Sequence, residues 1–567
     1  MPDGGSVSFP TADFVRINAL NDDPGAGVLW TRVNVGEATP GAVTPLTADF
    51  QRPANTWPAG RIFHRMGLIP SPDIPGVRDE RSATTRFFCA QMAISLDFLR
   101  WLADRTPGTS GDAFEASILG SVRPGVKSQP DRSRYAIAGM KLAGLIATLP
   151  GEVAAIHERT AAWWRGAVAG AERASLAEAA SLFDAARDRY ERVIDTAGLL
   201  AILSPAALDQ ISRPLKKMGA ESDLLTVAAG YGSVKETDML EKIWAIAHGR
   251  MRMSLFLDEF GYMCPAGGEL ESLSWREDSG ALDPLLDTFR HATRDESPRR
   301  RLERTMTAAA AKRAELQEKA RGSGRLALRF GFWLANRLLP LREVGKACMF
   351  MGCDAGRAAA RRVGMLLADA GRIANPEDVF YLSYDEIMRA PVTTEGFAGV
   401  AAERRALREA YAAVELPDFF TSEELRAILE REAKRAATPV KAQDRAPVAP
   451  AIVAEAFTLQ GAAASAGRVT ARARIVRDPR QAKGFAKGDI LVCHVTDPGW
   501  TAIMSMAGGM IVDIGGMLSH SAIIARELGV PAVVNTRDGT KRIPDGSLIT
   551  LDGAAGTVLV HATAEAH

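Results

Sequence analysis

A multidomain chain, with a large, mainly α-helical body and a C-terminal α/β domain, is what this sequence predicts. From about residue 84 to 436, apolar residues recur at spacings of three and four in a background rich in Ala, Leu, Arg and Glu, which is the helical pattern. Residues 437–456 lose that periodicity and become Ala/Pro-rich (Thr438-Pro439, Ala446-Pro447, Ala449-Pro450), as an extended linker would. Short apolar runs then alternate with turn residues as far as about residue 561. A length of 567 residues supports several cores rather than one.

Four segments follow: a polar, Gly/Asp/Pro-rich leader at 1–28, the helical body at 29–436, the hinge-like linker at 437–456, and the α/β domain at 457–561. Within the body the clearest helices are expected at Ala171–Leu203, Thr237–Phe260 and Arg299–Arg321. Leu102–Gln129 is broken by Pro107-Gly108 and Gly111 and reads as a loop. Thr421-Ser422-Glu423-Glu424 has capping-box spacing and opens a helix reaching about Ala436. In Asn375–Glu386 an extended backbone would put Phe380 and Leu382 on one face and Tyr381 on the other. In the last domain, strands are expected at 468–476, 489–494, 510–513, 531–535, 547–551 and 557–560. Helices are expected after Pro498-Gly499-Trp500 and after Ser519.

Bulk properties exclude some classes. The 69 Lys and Arg nearly cancel the 68 Asp and Glu, so no global field points to nucleic acid or an anionic membrane. No signal peptide is visible at Met1–Ser6. No uncharged apolar stretch reaches spanning length, since the best candidate, Leu326–Leu341, is cut by Arg329, Asn336 and Arg337. The five cysteines are scattered, with neither disulfide nor zinc spacing, and read as small buried residues. A cytoplasmic protein without a metal site of its own is the expectation.

The most informative chemistry is Gly515-Gly516-Met517-Leu518-Ser519-His520-Ser521, continuing to Arg526-Glu527-Leu528-Gly529. A short apolar strand runs into a glycine turn, and a helix starts with Ser519 at its N-cap. His520 then occupies the first helical position, where unpaired backbone N–H groups and the dipole favour an anion. An imidazole there can attack a phosphoryl group, and the helix end can hold the phosphate acquired. A capping turn that carries a histidine for no reason is the plain alternative. His494 ends a predicted strand, and its neighbours Cys493 and Val495 fit a half-buried position without chemistry.

The run from Gly515 to Val533 resembles the phosphohistidine segment of the phosphoenolpyruvate-utilising enzymes, and residues 457–561 resemble their swivelling phosphohistidine domain. The stretch Trp30–Leu46, with Glu37 inside it, and the Pro376–Leu382 run resemble parts of the same family. The resemblance implies that His520 is the phosphorylated nucleophile, that Gly515, Gly516, Ser519 and Ser521 bind the phosphate, and that Arg526 orients the donor. In the body, Arg342 and Lys346, four apart on one helix face, are candidates for phosphate binding, although that spacing equally suits a solvated basic face. Glu269 and Glu37 are candidates for activating an acceptor. Tyr262 and Met263 stand where relatives carry His and Arg, which makes that loop a more apolar substrate-binding candidate.

Neither a nucleotide-binding domain nor a (β/α)₈ barrel, which needs about 250 residues, is recognisable here. The expectation is therefore a carrier and acceptor subunit of a split ATP-dependent phosphotransferase. A separate ATP-grasp subunit would bind ATP and Mg²⁺, and phospho-His520 would pass its phosphoryl group to the hydroxyl of an apolar or aromatic small molecule. Phe330 and Trp333 add to the apolar content of the body. The alternative is a phosphocarrier or non-catalytic regulator that acts on a protein partner.

Overall fold

The computed structural model describes residues 27–562 apart from 33–34, 36–40, 57, 72–84, 108–109, 113, 116–121, 232–233, 265, 295–296, 438–454, 478–481, 483, 497–499 and 517–518. Glu37, most of the leader and nearly all of the 437–456 linker lie outside the described residues. By packing, the chain forms two compact units. The first comprises 1–199, 268–271 and 348–443, and the second 200–267, 272–347 and 444–567. The division runs through the stretch that composition presents as one helical body. The long helix Gly322–Asp369 supplies residues to both units.

In the first unit, an antiparallel sheet of four strands is ordered β2-β3-β1-β4: β1 (Leu29–Thr31), β2 (Thr85–Phe88), β3 (Gln91–Ser95) and β4 (Phe419–Thr421). Helical periodicity does not anticipate it. The β2–β3 turn is made by Cys89 and Ala90, both at positive φ (48° and 62°), where a tight hairpin ordinarily signals itself with Asn or Gly. Trp30, Phe88 and Phe420 stack edge to face at the centre of this core. Pro376–Tyr381 is a 3₁₀ turn rather than an extended segment, so Phe380, Tyr381 and Leu382 are all buried instead of alternating.

Residues 268–271 are tied into this unit by their carboxylates and carbonyls. Glu269 accepts from the Thr44 backbone N–H (3.0 Å), the Thr44 hydroxyl (2.8 Å), the Thr47 hydroxyl (2.6 Å) and the Glu271 N–H (3.0 Å). Arg357, itself paired with Asp354, donates to the carbonyls of Glu269 and Leu270. Two further helices depart from expectation, one in this unit and one, Leu176–Lys217, that runs on into the second. Tyr135–Ala171 and Leu176–Lys217 are each long and apolar enough to cross a membrane by length and composition, a feature that reading the sequence assigned to no segment. In the most apolar window of Tyr135–Ala171, 17% of the residues are buried.

In the second unit, the predicted helix Thr237–Phe260 is two, Val234–Ala247 and Met253–Phe260, parted by a turn with Gly249 at φ 67°. Met253–Phe260 ends at Gly261, where a Cβ would stand 2.4 Å from the Leu257 carbonyl oxygen, so only glycine fits. Tyr262 and Met263 follow at 2% and 6% exposure, and the Met263 carbonyl accepts from Trp275 N–H. Leu208, Ile211, Leu328, Phe332 and Leu339 build the core between helices.

The C-terminal domain has eight strands: β5 (Phe457–Gln460), β6 (Ala462–Ser465), β7 (Arg468–Ile475), β8 (Ile490–Cys493), β9 (Gly509–Val512), β10 (Ala532–Val534), β11 (Leu548–Asp552) and β12 (Thr557–Val560), in the order β5-β12-β11-β7-β8-β9-β10-β6. Strands β7, β8, β9 and β10 run parallel. Every residue of β8, β9 and β10 is buried, as befits parallel strands covered on both faces. All five cysteines are buried and unbridged.

The clustering of donors on Glu269 gives it a structural load. Glu269→Ala is expected to cost about 3 kcal/mol, because the buried Thr44 N–H loses its acceptor, with a smaller loss for Glu269→Gln. A urea titration in which Glu269→Ala leaves the unfolding midpoint unmoved would contradict this.

Candidate functional site

Parallel strands aim their carboxyl ends the same way, and the loops that leave adjacent strands meet there. The loop after β8 carries His494 and Thr496, and the loop after β9 carries Asp513, Gly515, Gly516 and Ser519 before the helix His520–Leu528 begins. Two backbone bonds, Asp513 N–H to Cys493 O (3.0 Å) and Ile514 N–H to His494 O (2.9 Å), hold the loops side by side. The Asp513 carboxylate accepts from the Thr536 hydroxyl (3.0 Å), the Thr540 N–H (3.1 Å) and the Thr540 hydroxyl. Though burial opposes it, these bonds and His494 hold this carboxyl below its ordinary value. His494 is more open than a half-buried strand position: its side chain is 51% exposed, with Nδ1 3.4 Å from Asp513.

Gly515 has φ 152°, and a Cβ there would lie 2.9 Å from Ser519 Oγ, so the turn requires glycine. Gly516 faces open space and carries no such requirement. Ser519 caps the helix by accepting from Ala522 N–H at 3.3 Å, and its hydroxyl lies 3.0 Å from that of Ser521. His520 is therefore the first helical residue, 3% exposed. Its Nδ1 is 3.3 Å from the Thr496 hydroxyl, itself buried.

Arg342 and Lys346, one turn apart on Gly322–Asp369, lie near enough for their charges to act on this histidine. Burial first, and then the charges of Lys346 and Arg342, push the His520 imidazole well below its ordinary value, so it is neutral at physiological pH. Burial also pushes Arg526 down to about 10, resisted by Glu527 and reinforced by Arg342. Arg342, Glu343, Leu208, Ala228 and Leu339 line a cleft whose other wall is Ile523, Arg526 and Glu527.

The second unit thus brings together His520, Arg526, Arg342 and Lys346, with Gly515, Gly516, Ser519 and Ser521 at the helix start. Tyr262 and Met263 belong to this unit as core residues, whereas Glu269 belongs to the other. Thr496 is the residue that reading the sequence missed. A threonine in a loop has no spacing to announce it, and only the pairing of β8 with β9 sets it beside the histidine. Phe330 and Trp333 are half exposed on the long helix, where Trp333 stands about half a turn round the axis from Arg342.

The depressed His520 sets a pH dependence. Its folded value lies below the ordinary 6.5, so the unfolded chain binds the proton first as pH falls. Above pH 6.5 the group is neutral in both states and costs nothing; below it, stability falls by up to about 1.4 kcal/mol per pH unit. His520→Gln is expected to flatten that part of the stability–pH curve, and superimposable curves for the two proteins would contradict the assignment.

Comparison with known proteins matches two stretches of the chain. The family described as PEP-utilising enzyme, mobile domain, matches residues 485–556, and that described as rifampicin phosphotransferase fourth domain matches 249–343. An uncharacterised phosphotransferase of Bacillus subtilis is 36% identical over 205 residues, which are 35% of this chain and 23% of that protein. A rifampicin phosphotransferase of Streptomyces sviceus is 29% identical over 339 residues, 57% of this chain and 36% of that protein. A phosphoenolpyruvate synthase of Aeropyrum pernix is 42% identical over 119 residues, 21% of this chain and 14% of that protein. The chain therefore spans well under half the length of these curated relatives. These two matches place the chain among the relatives of the PEP-utilising phosphotransferases, with their mobile domain at 485–556 and a rifampicin phosphotransferase-like fourth domain at 249–343.

Proposed function

We propose that this chain relays a phosphoryl group through His520 to the hydroxyl of an organic small molecule. The observation that carries the reading is a buried, neutral histidine at a capped helix start, held at Nδ1 by Thr496 and faced by Arg342 and Lys346. A neutral imidazole keeps a lone pair for attack, and with Nδ1 held, Nε2 is the nucleophile. In loading, the Nε2–P bond forms at the β-phosphorus of ATP as the P–O bond to AMP breaks, water then takes the terminal phosphoryl group off as inorganic phosphate, and the proton stays on Nδ1. In transfer, the acceptor oxygen attacks phosphorus, the P–N bond breaks, and the hydroxyl proton passes to a base.

Arg342 and Lys346 would neutralise the charge on the transferred group, with Arg526 orienting it and the N–H groups of the helix start receiving its oxygens. ATP and Mg²⁺ would be bound by a separate ATP-grasp subunit in the cytoplasm. The net change is then ATP, water and an alcohol giving AMP, inorganic phosphate and a phosphate monoester. An apolar or aromatic acceptor would suit the apolar content of the helical body, Tyr262, Met263, Phe330 and Trp333 among it. Tyr262 and Met263 would bind the acceptor as an apolar part of its site, and Glu269 and Glu37 would activate its hydroxyl.

Incubation of the purified chain with labelled ATP and an ATP-grasp partner tests this reading. Acid-labile label is expected on the wild type and absent from His520→Ala, and it should depend on the partner. An unlabelled wild type with the partner present would overturn the proposal.

A further inference from the structure

The helix that carries His520 also carries a residue the relay does not use. Glu527 is 4% exposed and stands in the last turn of His520–Leu528. A carboxylate there meets the negative end of the helix dipole and loses its water, two costs that the charge of the neighbouring Arg526 offsets in part. What offsets the rest comes from the helices at 200–347. The Gly230 backbone N–H donates to Glu527 Oε1 at 3.2 Å.

That turn is itself braced. Arg313 donates to the carbonyls of Val227 (3.0 Å) and Ala229, and its guanidinium lies 3.8 Å from the centre of the Tyr231 ring. Gly230 sits at φ 77°, a conformation that presents its N–H and suits glycine. Glu527 also falls within the field of Arg313, so a positive charge backs the bond.

Spacing gives the contact its meaning. His520, Ile523 and Glu527 are three and then four residues apart and share one face of their helix. The face that carries His520 is therefore the face turned to the narrow cleft lined by Leu208, Ala228, Leu339 and Arg342. Nearby, Arg301 also donates to the Ser505 carbonyl (3.3 Å), and the Thr288 hydroxyl lies 2.7 Å from Met506 Sδ.

We propose that Glu527 latches the C-terminal domain onto the turn 227–231, holding His520 closed against the helices and out of reach of small reagents until the latch opens. Glu527 is a positioning residue: it sets the docked state and touches no reacting atom. The inference rests on the reading of His520 as the carrier, since a carrier must leave the closed position to be loaded. Its test involves no phosphoryl chemistry, so the two can fail separately.

Diethyl pyrocarbonate, which acylates accessible neutral imidazoles, is the probe, with the full chain and mass-spectrometric readout at each histidine. In Glu527→Ala the modification rate at His520 is expected to rise about tenfold, the loss of one charge-assisted bond. Glu527→Gln keeps an acceptor for Gly230 N–H and should rise less. The exposed His494 of the same domain should react equally in all three proteins. Amide exchange at 227–231 should quicken in Glu527→Ala while β8 and β9 stay protected. An unchanged His520 rate in Glu527→Ala would overturn the latch. So would a rise at His520 matched by His494 and by loss of protection in β8 and β9, if Glu527→Gln, with those strands intact, showed no rise of its own.

Discussion

Everything in the site depends on one arrangement: an imidazole taken out of water at the first position of a helix, opposite two cations. Each part pulls the same way. Burial disfavours a charged ring, and Arg342 and Lys346 disfavour it further, so His520 stays neutral. The same two cations and the N–H groups of the helix start would welcome an anion in the ring's vicinity. The site is thus uncomfortable for a protonated histidine and suited to a phosphorylated one. A modification that adds about two negative charges converts repulsion into attraction.

Keeping that histidine in place requires rigidity upstream. The parallel strands β8 and β9 are buried on all residues, and their exits are cross-linked by backbone bonds. Asp513 then ties the end of β9 to Thr536 and Thr540. Ser519 needs a turn with a positive-φ residue before it, which Gly515 supplies. The reactive side chain is held by a chain of supports that runs back to the sheet, which is how a loop residue acquires a fixed position.

Much of this was legible in the sequence, and the rest was hidden for identifiable reasons. The glycine turn, the Ser519 cap and His520 are local signals, and six of the eight C-terminal strands follow from short apolar runs. Thr496 was invisible because its partner is 24 residues away and only sheet pairing unites them. The hairpin at Cys89-Ala90 lacks the residues that usually mark a tight turn, so β2 and β3 passed for helix. Glu269 looked like a loop carboxylate with chemistry to do. Threonines more than 200 positions earlier are what hold it, and no local pattern reports that.

The two nitrogens of His520 offer the sharpest discrimination. With the chain phosphorylated and labelled with ¹⁵N in its histidines, the ring nitrogen that bears phosphorus can be read from its ¹⁵N shift and its coupling to ³¹P. With Nδ1 held by Thr496, the account predicts phosphorus on Nε2 and a proton on Nδ1. Phosphorus on Nδ1, or on a histidine other than His520, would contradict it.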